Sequence, residues 1–147
     1  MAFFSSLNIS GSALTAQKLR MEIVAQNIAN SNTSITESGE PYRRKIVVLS
    51  EKNDSDNFRT KLYDAANRIA AYGGVEVSEI VEDDEAFLLE YDPTNPLADE
   101  EGYVKMPNIN TVEEMIEMMA ASRSYEANVT VFNAVKQMAS KALEIGR

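Results

Sequence analysis

The sequence predicts an α+β protein with long helices at its N- and C-termini that pack together as a coiled-coil-like stem, and with a small β-rich central region. Helical apolar repeats near both ends of the chain predict the stem. Short segments rich in β-branched residues, separated by Gly, Pro and acidic turns, predict strands in the centre. A length of 147 residues is typical of one domain with a single modest core.

The first helix is predicted over about residues 10–30. Its apolar positions repeat at seven-residue intervals, as expected for one face of an amphipathic helix, and are Leu14, Met21 and Ile28. The hydroxyl groups of Ser10 and Ser12 are suitable helix caps. The Asn-rich residues 26–33 are expected to end the helix, because Asn is tolerated in the backbone conformation that closes helices.

The central region is predicted to hold short strands and one short helix. We expect strands over 42–49, 75–80 and 86–91, with a shorter extended piece over 103–106. The spacing of apolar residues favours a helix over 58–72. An acidic turn over 82–85 is expected to join the second strand to the third, and residues 92–102 carry the turn signals of a long connecting loop.

The last helix is the most informative segment. Thr111 and Glu114 match a capping box, and no Gly or Pro follows before Gly146. Its apolar stripe has a four–three spacing and consists of Val131, Val135, Met138, Ala142 and Ile145. A helix of roughly 34 residues is about 50 Å long, whereas a compact chain of this size is about 40 Å across. We therefore expect the helix to project and to need a partner along its stripe.

Composition excludes several classes of function. The formal net charge of −9 makes nucleic acid a poor partner, because phosphate repels a negative chain. The chain has no His and no Cys, which excludes Ser-His and Cys-His catalysis and the usual zinc sites. The acidic clusters do not fit a calcium-binding loop. We therefore expect no catalytic site, no cofactor, no metal ion and no small-molecule substrate.

Three local patterns carry further expectations. The N-terminus lacks the basic start and apolar core of a cleaved signal peptide, and no stretch is apolar enough to span a membrane. The basic run of Arg43, Arg44 and Lys45 is expected to pair with nearby carboxylates rather than to bind phosphate. The Met residues of the last helix are expected to pack within or between chains rather than to line a peptide groove.

A series of motifs, in this order, resembles the flagellar rod and hook protein family. The motifs are SGSAL (10–14) with Gln17, QNIAN (26–30) with NT (32–33), GEPYR (39–43), GGV (73–75), YDP (91–93), NPLAD (95–99), GYVKMPN (102–108) and ASRSYEAN (121–128). The resemblance implies a proximal-rod subunit that is exported unfolded through the flagellar type III apparatus without a cleaved signal. Neighbouring rod subunits and the basal-ring protein are the implied partners. Residues 51–72 depart from the family pattern, because they look longer and more helical than its connector.

In this family the terminal helices pack together in an inner tube and a β-rich part lies outside. The resemblance therefore assigns 1–33 and 111–147 to assembly and 34–110 to a middle region. The predicted assembly residues are Leu14, Met21, Gln26, Asn27, Ile28, Asn30, Asn32, Arg123, Tyr125, Asn128, Phe132, Val135, Met138 and Ala142. For the Asn and Gln residues of positions 26–32, helix capping and a contact to a neighbouring subunit are equal alternatives. Arg123 and Tyr125 are expected to seal either the chain's own helix pair or that of a neighbour.

These observations lead to one main hypothesis, a structural subunit of the flagellar basal-body rod that self-associates in a helical assembly crossing the cell envelope. The alternative is a soluble flagellar export adaptor or chaperone that binds partner helices along the Met-rich helix. A carboxylate-dependent hydrolase would need two carboxylates about 5–9 Å apart in a cleft. No spacing in the sequence indicates such a pair.

Overall fold

The computed structural model describes residues 2–52, 62 and 73–145. Its elements in chain order are helix α1 (Ala2–Ala29), strands β1 (Lys45–Lys52), β2 (Gly74–Glu82), β3 (Leu88–Tyr91) and β4 (Tyr103–Met106), and helix α2 (Thr111–Ile145). Two long terminal helices and a small antiparallel centre confirm the predicted α+β class. The helix predicted over 58–72 lies outside the described residues, apart from Leu62, which is helical.

Helix α1 begins at Ala2, well before the predicted start. Ser10 is only 4% exposed and lies inside the helix rather than at its cap. The hydroxyl of Ser12 donates to the Ile9 carbonyl at 2.8 Å, so this polar side chain is satisfied within the helix. The prediction was wrong because Ser and Gly weaken a helix only modestly, and packing of the buried face outweighs that cost.

The end of α1 lies in the Asn-rich segment, as predicted. The backbone N–H of Asn30 donates to the Gln26 carbonyl at 3.1 Å, and its side-chain Nδ2 donates to the same carbonyl at 2.9 Å. Ser31 binds the Ile28 carbonyl in the same way, through its backbone N–H and its hydroxyl. These bonds satisfy carbonyl groups that a helix end would otherwise leave free.

Helices α1 and α2 pack side by side to form the stem. The last turns of α1 lie against the first turn of α2, so the two helices run antiparallel. The side of α2 that is buried or half-buried follows a four–three repeat of Glu114, Met118, Ala121, Tyr125, Asn128, Phe132, Val135 and Ala139. The buried residues of α1 are Ser10, Ala16, Ile23, Val24 and Asn27.

The apolar stripe predicted for the last helix is divided between two sides. Val135 is 7% exposed, whereas Val131 is 49% and Met138 is 61% exposed. Ala142 is exposed as well. The prediction of a single apolar stripe was wrong because α2 is apolar on two sides. A four–three spacing alone does not indicate which of these sides packs against α1.

Strands β1 and β2 pair antiparallel along their whole length and lie against α1. The backbone N–H of Val75 donates to the Ser12 hydroxyl at 3.1 Å, which ties β2 to the helix. Ser78 is the extra residue of a β-bulge, and its hydroxyl donates to the Val48 carbonyl at 3.1 Å. Strand β1 begins later than predicted, because the N–H of Tyr42 bonds to the preceding loop.

Strands β3 and β4 form a separate two-stranded sheet. The acidic segment 82–85 connects β2 to β3 in the chain, as predicted, but these two strands do not pair with each other. β2 pairs with β1, while β3 pairs with β4 across the loop of residues 92–102. Side chains of Asp92, Asn95 and Asp99 accept backbone N–H groups two residues ahead, so the turn residues themselves close this loop.

The N-cap of α2 is Asn110 rather than the predicted Thr111. The Asn110 side-chain oxygen accepts the backbone N–H of Val112 at 3.1 Å, and Thr111 is already helical. The Glu114 side chain does not return to the cap. It is 1% exposed and is engaged by residues of α1 and of the segment before β1.

Gly74 is expected to be required for docking β2 on α1. A Cβ atom at this position would overlap the Ser12 hydroxyl and lie 3.4 Å from the Ile9 backbone Cα. Gly74→Ala should therefore lower the free energy of unfolding by about 1–3 kcal/mol, as overpacking does. Gly11→Ala is the matched control, since no atom lies within 4 Å of a Cβ there. It should raise helix stability by about 1 kcal/mol in the same urea titration, and equal effects of the two variants would contradict this account.

Candidate assembly surface and the polar junction beneath it

Asn27 lies at the centre of a buried polar cluster between the stem and β1. Its Nδ2 donates to the Lys45 carbonyl at 2.9 Å and to Glu114 Oε2 at 3.0 Å. Its Oδ1 accepts the Lys45 N–H and the Tyr42 hydroxyl, each at 3.0 Å. Two donors and two acceptor positions are thus all used, which is the full capacity of an amide side chain.

Glu114 and Arg44 complete this cluster, which we call the polar junction: Asn27, Tyr42, Arg44, Lys45 and Glu114. Arg44 Nε donates to Glu114 Oε1 at 2.7 Å. The remaining guanidinium nitrogens lie 3.6 Å from Asp83 and 3.4 Å from Glu117. This geometry confirms the prediction that the basic run pairs with carboxylates, as far as Arg44 is concerned.

The junction raises the pKa of two of its members. Burial works against the charge of Arg44, but its hydrogen bond to Glu114 and the nearby carboxylates raise its pKa above the ordinary value. Burial, assisted by the charges of Glu82 and Glu114, raises the pKa of Tyr42 above its ordinary 10.0. Both shifts favour the protonated forms that the hydrogen bonds require.

The junction connects the end of α1, the start of β1 and the first turn of α2. A buried carboxylate is stable only where a cationic side chain can contact it. The apolar repeats of two helices can be offset by a turn with little loss, but these polar contacts cannot. We interpret the junction as the device that fixes the helix register and the direction in which β1 leaves the stem.

The predicted assembly residues fall into two groups by exposure. Asn27 and Val135 are buried, and Leu14, Met21, Ile28, Asn30, Tyr125, Asn128 and Phe132 are half-buried. The exposed members are Gln26, Asn32, Arg123, Met138 and Ala142. Asn27 and Asn30 thus make their hydrogen bonds within the chain, whereas Arg123 forms no ion pair with any described residue.

Sequence analysis missed Tyr42, Arg44 and Glu114 as members of one site. Glu114 stands three residues after a Thr, so the capping-box pattern accounted for it without any distant partner. The signal that could have found the site is a Glu on the same helical side as Ala121 and Val135. A carboxylate on a buried side requires a cation.

Neither α1 nor α2 contains a window apolar enough to cross a membrane. Across residues 2–52, 62 and 73–145, no group of three or more acidic side chains converges closely enough to hold a metal ion.

Comparison with known proteins identifies the family. The family described as "Flagella basal body rod protein" matches residues 7–34, and "Flagellar basal body rod FlgEFG protein C-terminal" matches residues 100–145. The flagellar basal-body rod protein FlgC of Bacillus subtilis is 48% identical, and the alignment covers 100% of both chains. The chain belongs to the FlgC family of flagellar basal-body rod proteins.

Other FlgC proteins support the same assignment. The FlgC protein of Escherichia coli O157:H7 is 44% identical over 100% of both chains. That of Borreliella burgdorferi is 40% identical, with 99% of this chain and 98% of the relative covered. The two matched family segments contain Asn27 and Glu114, and so they meet at the polar junction.

Membership in the FlgC family decides between the hypotheses. The chain is a structural subunit of the flagellar basal-body rod, and it assembles there with other rod components. The export-adaptor alternative is not favoured, because the relatives match as rod proteins over their full length.

Removal of the Arg44 charge should destabilise the fold strongly. Arg44→Met leaves the Glu114 carboxylate buried without its cation and should lower the free energy of unfolding by about 3 kcal/mol. This value is at the low end for buried ion pairs, because the Arg44 side chain is 24% exposed. The control is Lys18→Met, which breaks an exposed pair with Glu22 and should cost less than about 1 kcal/mol. Adding Glu114→Gln to Arg44→Met should recover part of the loss in chemical denaturation. A loss no larger than that of Lys18→Met would refute the assignment.

Tyr42 should make stability fall at alkaline pH. Its pKa is raised in the folded state, so the unfolded chain loses the proton first, near pH 10.0. The contribution of Tyr42 to stability is then complete below that pH and is lost as the pH rises through the folded pKa. Denaturant midpoints measured from neutral pH to above 10 should decline less steeply for Tyr42→Phe than for the unaltered chain. Parallel declines would show that Tyr42 is not involved.

Proposed function

We propose that the chain polymerises in the rod through its terminal helix pair, with 1–33 and 111–147 as the assembly unit. The observation that carries this proposal is the second apolar side of α2, which we call the outer seam: Ala127, Val131, Ala134, Met138 and Ala142. All five residues are exposed. They recur at intervals of three and four residues, so they form one stripe on the helix surface.

The composition of the outer seam suits a helix from a neighbouring subunit. Val131 and Met138 are 49% and 61% exposed, although both are apolar. The alanines between them have short side chains, which let another helix approach closely. Burying such a stripe stabilises an interface by about 25 cal/mol for each Å² of apolar surface removed from water.

The remaining predicted assembly residues support the seam in two ways. The half-buried Tyr125 and Phe132 belong to the buried side of α2, and α2 packs against α1 while the seam stays exposed. Gln26, Asn32 and Arg123 are exposed polar groups at the surface of the helix pair, and we propose that they contact neighbouring subunits.

We further propose that the subunit is exported through the flagellar type III apparatus without a cleaved signal and contacts the basal-ring protein as well as other rod subunits. Residues 34–110 would form the middle region outside the stem. Neither His nor Cys is present, and FlgC relatives are rod proteins, which supports a role without catalysis or a cofactor.

Met138→Asp should separate assembly from folding. Met138 is exposed, so the variant should keep its free energy of unfolding within about 0.5 kcal/mol. A charge in the seam should nevertheless reduce the amount of the chain in purified basal bodies at least tenfold and abolish swimming. Gln137→Asp adds the same charge to a neighbouring exposed position outside the seam and should assemble normally.

Mass spectrometry and electron microscopy of envelope-extracted basal bodies measure both variants. Val135→Asp is less informative, because Val135 is buried in the stem and its loss also affects folding. Normal incorporation of Met138→Asp would contradict the proposal that the seam is an interface.

A further inference from the structure

The β3–β4 hairpin presents an apolar and aromatic surface that the described residues leave uncovered. Leu89 and Tyr91 lie on one side of β3, and Tyr103 stands opposite Tyr91 on β4. These three residues, which we call the tyrosine platform, are 62%, 64% and 38% exposed. On the other side of the hairpin Val104 is only 3% exposed, whereas Leu88 is 53% exposed.

The tyrosine platform is held in place before any partner binds. The two rings are in edge contact, with centroids 5.3 Å apart. Asp99 Oδ1 accepts the backbone N–H groups of Glu101 and Tyr103, which fixes the loop beside the rings. Gly102 has a φ of +86°, and a Cβ there would lie 3.0 Å from the Tyr91 ring. A rigid aromatic surface loses little conformational entropy on binding, which favours its use as an interface.

Two carboxylates precede Tyr103 in the loop at the tyrosine end of the platform, whereas Lys105 stands opposite Leu89 at its other end. Glu100 and Glu101 are exposed and form no ion pair with any residue that the structure describes. Tyrosine rings beside free carboxylates are well suited to a guanidinium group, which stacks on the rings and pairs with the carboxylates.

The same chain carries a surface of the matching kind on α2. Four large apolar residues are exposed on the side of α2 opposite Glu114 and Ala121: Val112, Met115, Ile116 and Met119. Arg123 follows them at helical spacing, is exposed, and has no ion-pair partner among the described residues. We call these five residues the arginine patch. It lies on the first half of α2, apart from the outer seam.

We propose that the tyrosine platform of one subunit binds the arginine patch of a second copy of this chain. This inference rests on the proposed polymerisation. Arg123 would stack on Tyr91 and Tyr103 and pair with Glu100 or Glu101, while the apolar residues cover Leu89. The chain has a net charge of −9, so local pairing of opposite charges of this kind reduces the repulsion between two copies.

The geometry of such a contact has a direct consequence for assembly. The two surfaces differ, so the contact between subunits is head-to-tail. Repeated head-to-tail contacts that do not close into a ring produce a helical polymer. A subunit of a helical rod requires that type of contact.

Cross-linking in assembled basal bodies tests the proposal. The chain has no Cys, so engineered cysteines are the only thiols that it carries. Leu89→Cys combined with Met119→Cys should give dimers and higher multimers of this chain with a short bismaleimide. Glu76→Cys with Met119→Cys is the control and should give at least tenfold less product, because exposed Glu76 lies on β2. Basal bodies that contain the double variant but yield no multimers, or yield only a product with another protein, would overturn the proposal.

A charge exchange provides a second and independent test. Arg123→Glu should reduce the multimer yield at least tenfold, and adding Glu100→Arg and Glu101→Arg should restore it. Failure of the exchange to restore cross-linking in chains present in basal bodies would overturn the proposed pairing. Absence of the unaltered chain from basal bodies would instead contradict the proposed polymerisation, so the two failures are distinguishable.

Discussion

Glu114 carries a carboxylate that is almost completely removed from water, and the surrounding structure is arranged around this charge. A buried charge is tolerated only with a cation and further hydrogen bonds. Arg44 supplies the cation from the segment before β1, and Asn27 supplies a hydrogen bond from the end of α1. The helix pair and the first sheet therefore meet in one relative arrangement. Displacing any of the three segments would break at least one of these contacts.

The apolar contacts of the stem and the polar contacts of the junction have different roles. Apolar burial supplies most of the free energy of packing, but it depends little on which turn of one helix faces which turn of the other. A buried ion pair adds little net stability, yet it disfavours every register in which it is broken. In this chain the Ala and Val residues of the stem hold the helices together, and Asn27 with Glu114 selects their alignment.

Much of the fold was predictable from the sequence, because it depends on local patterns. The long C-terminal helix, the Asn-rich end of α1 and the strand at Tyr103–Met106 each follow from nearby residues. Apart from the exact ends of the elements, what the sequence did not predict concerns choices between distant partners. Which strand pairs with β2, and which apolar side of α2 meets α1, depend on tertiary packing that no local pattern encodes. The junction was missed for the same reason, since Asn27 and Glu114 are 87 positions apart.

That separation also determines the order in which the subunit can fold. The stem consists of the two ends of the chain, so its principal contacts are the most distant in sequence and close the largest loop. Local hairpins such as β3–β4 can form early, whereas α1 has no helix to pack against until α2 is present. A chain delivered progressively from either end thus acquires its stem only when delivery is nearly complete. Incomplete chains consequently lack the paired helices altogether, and completion of the polypeptide becomes a physical condition for building the stem.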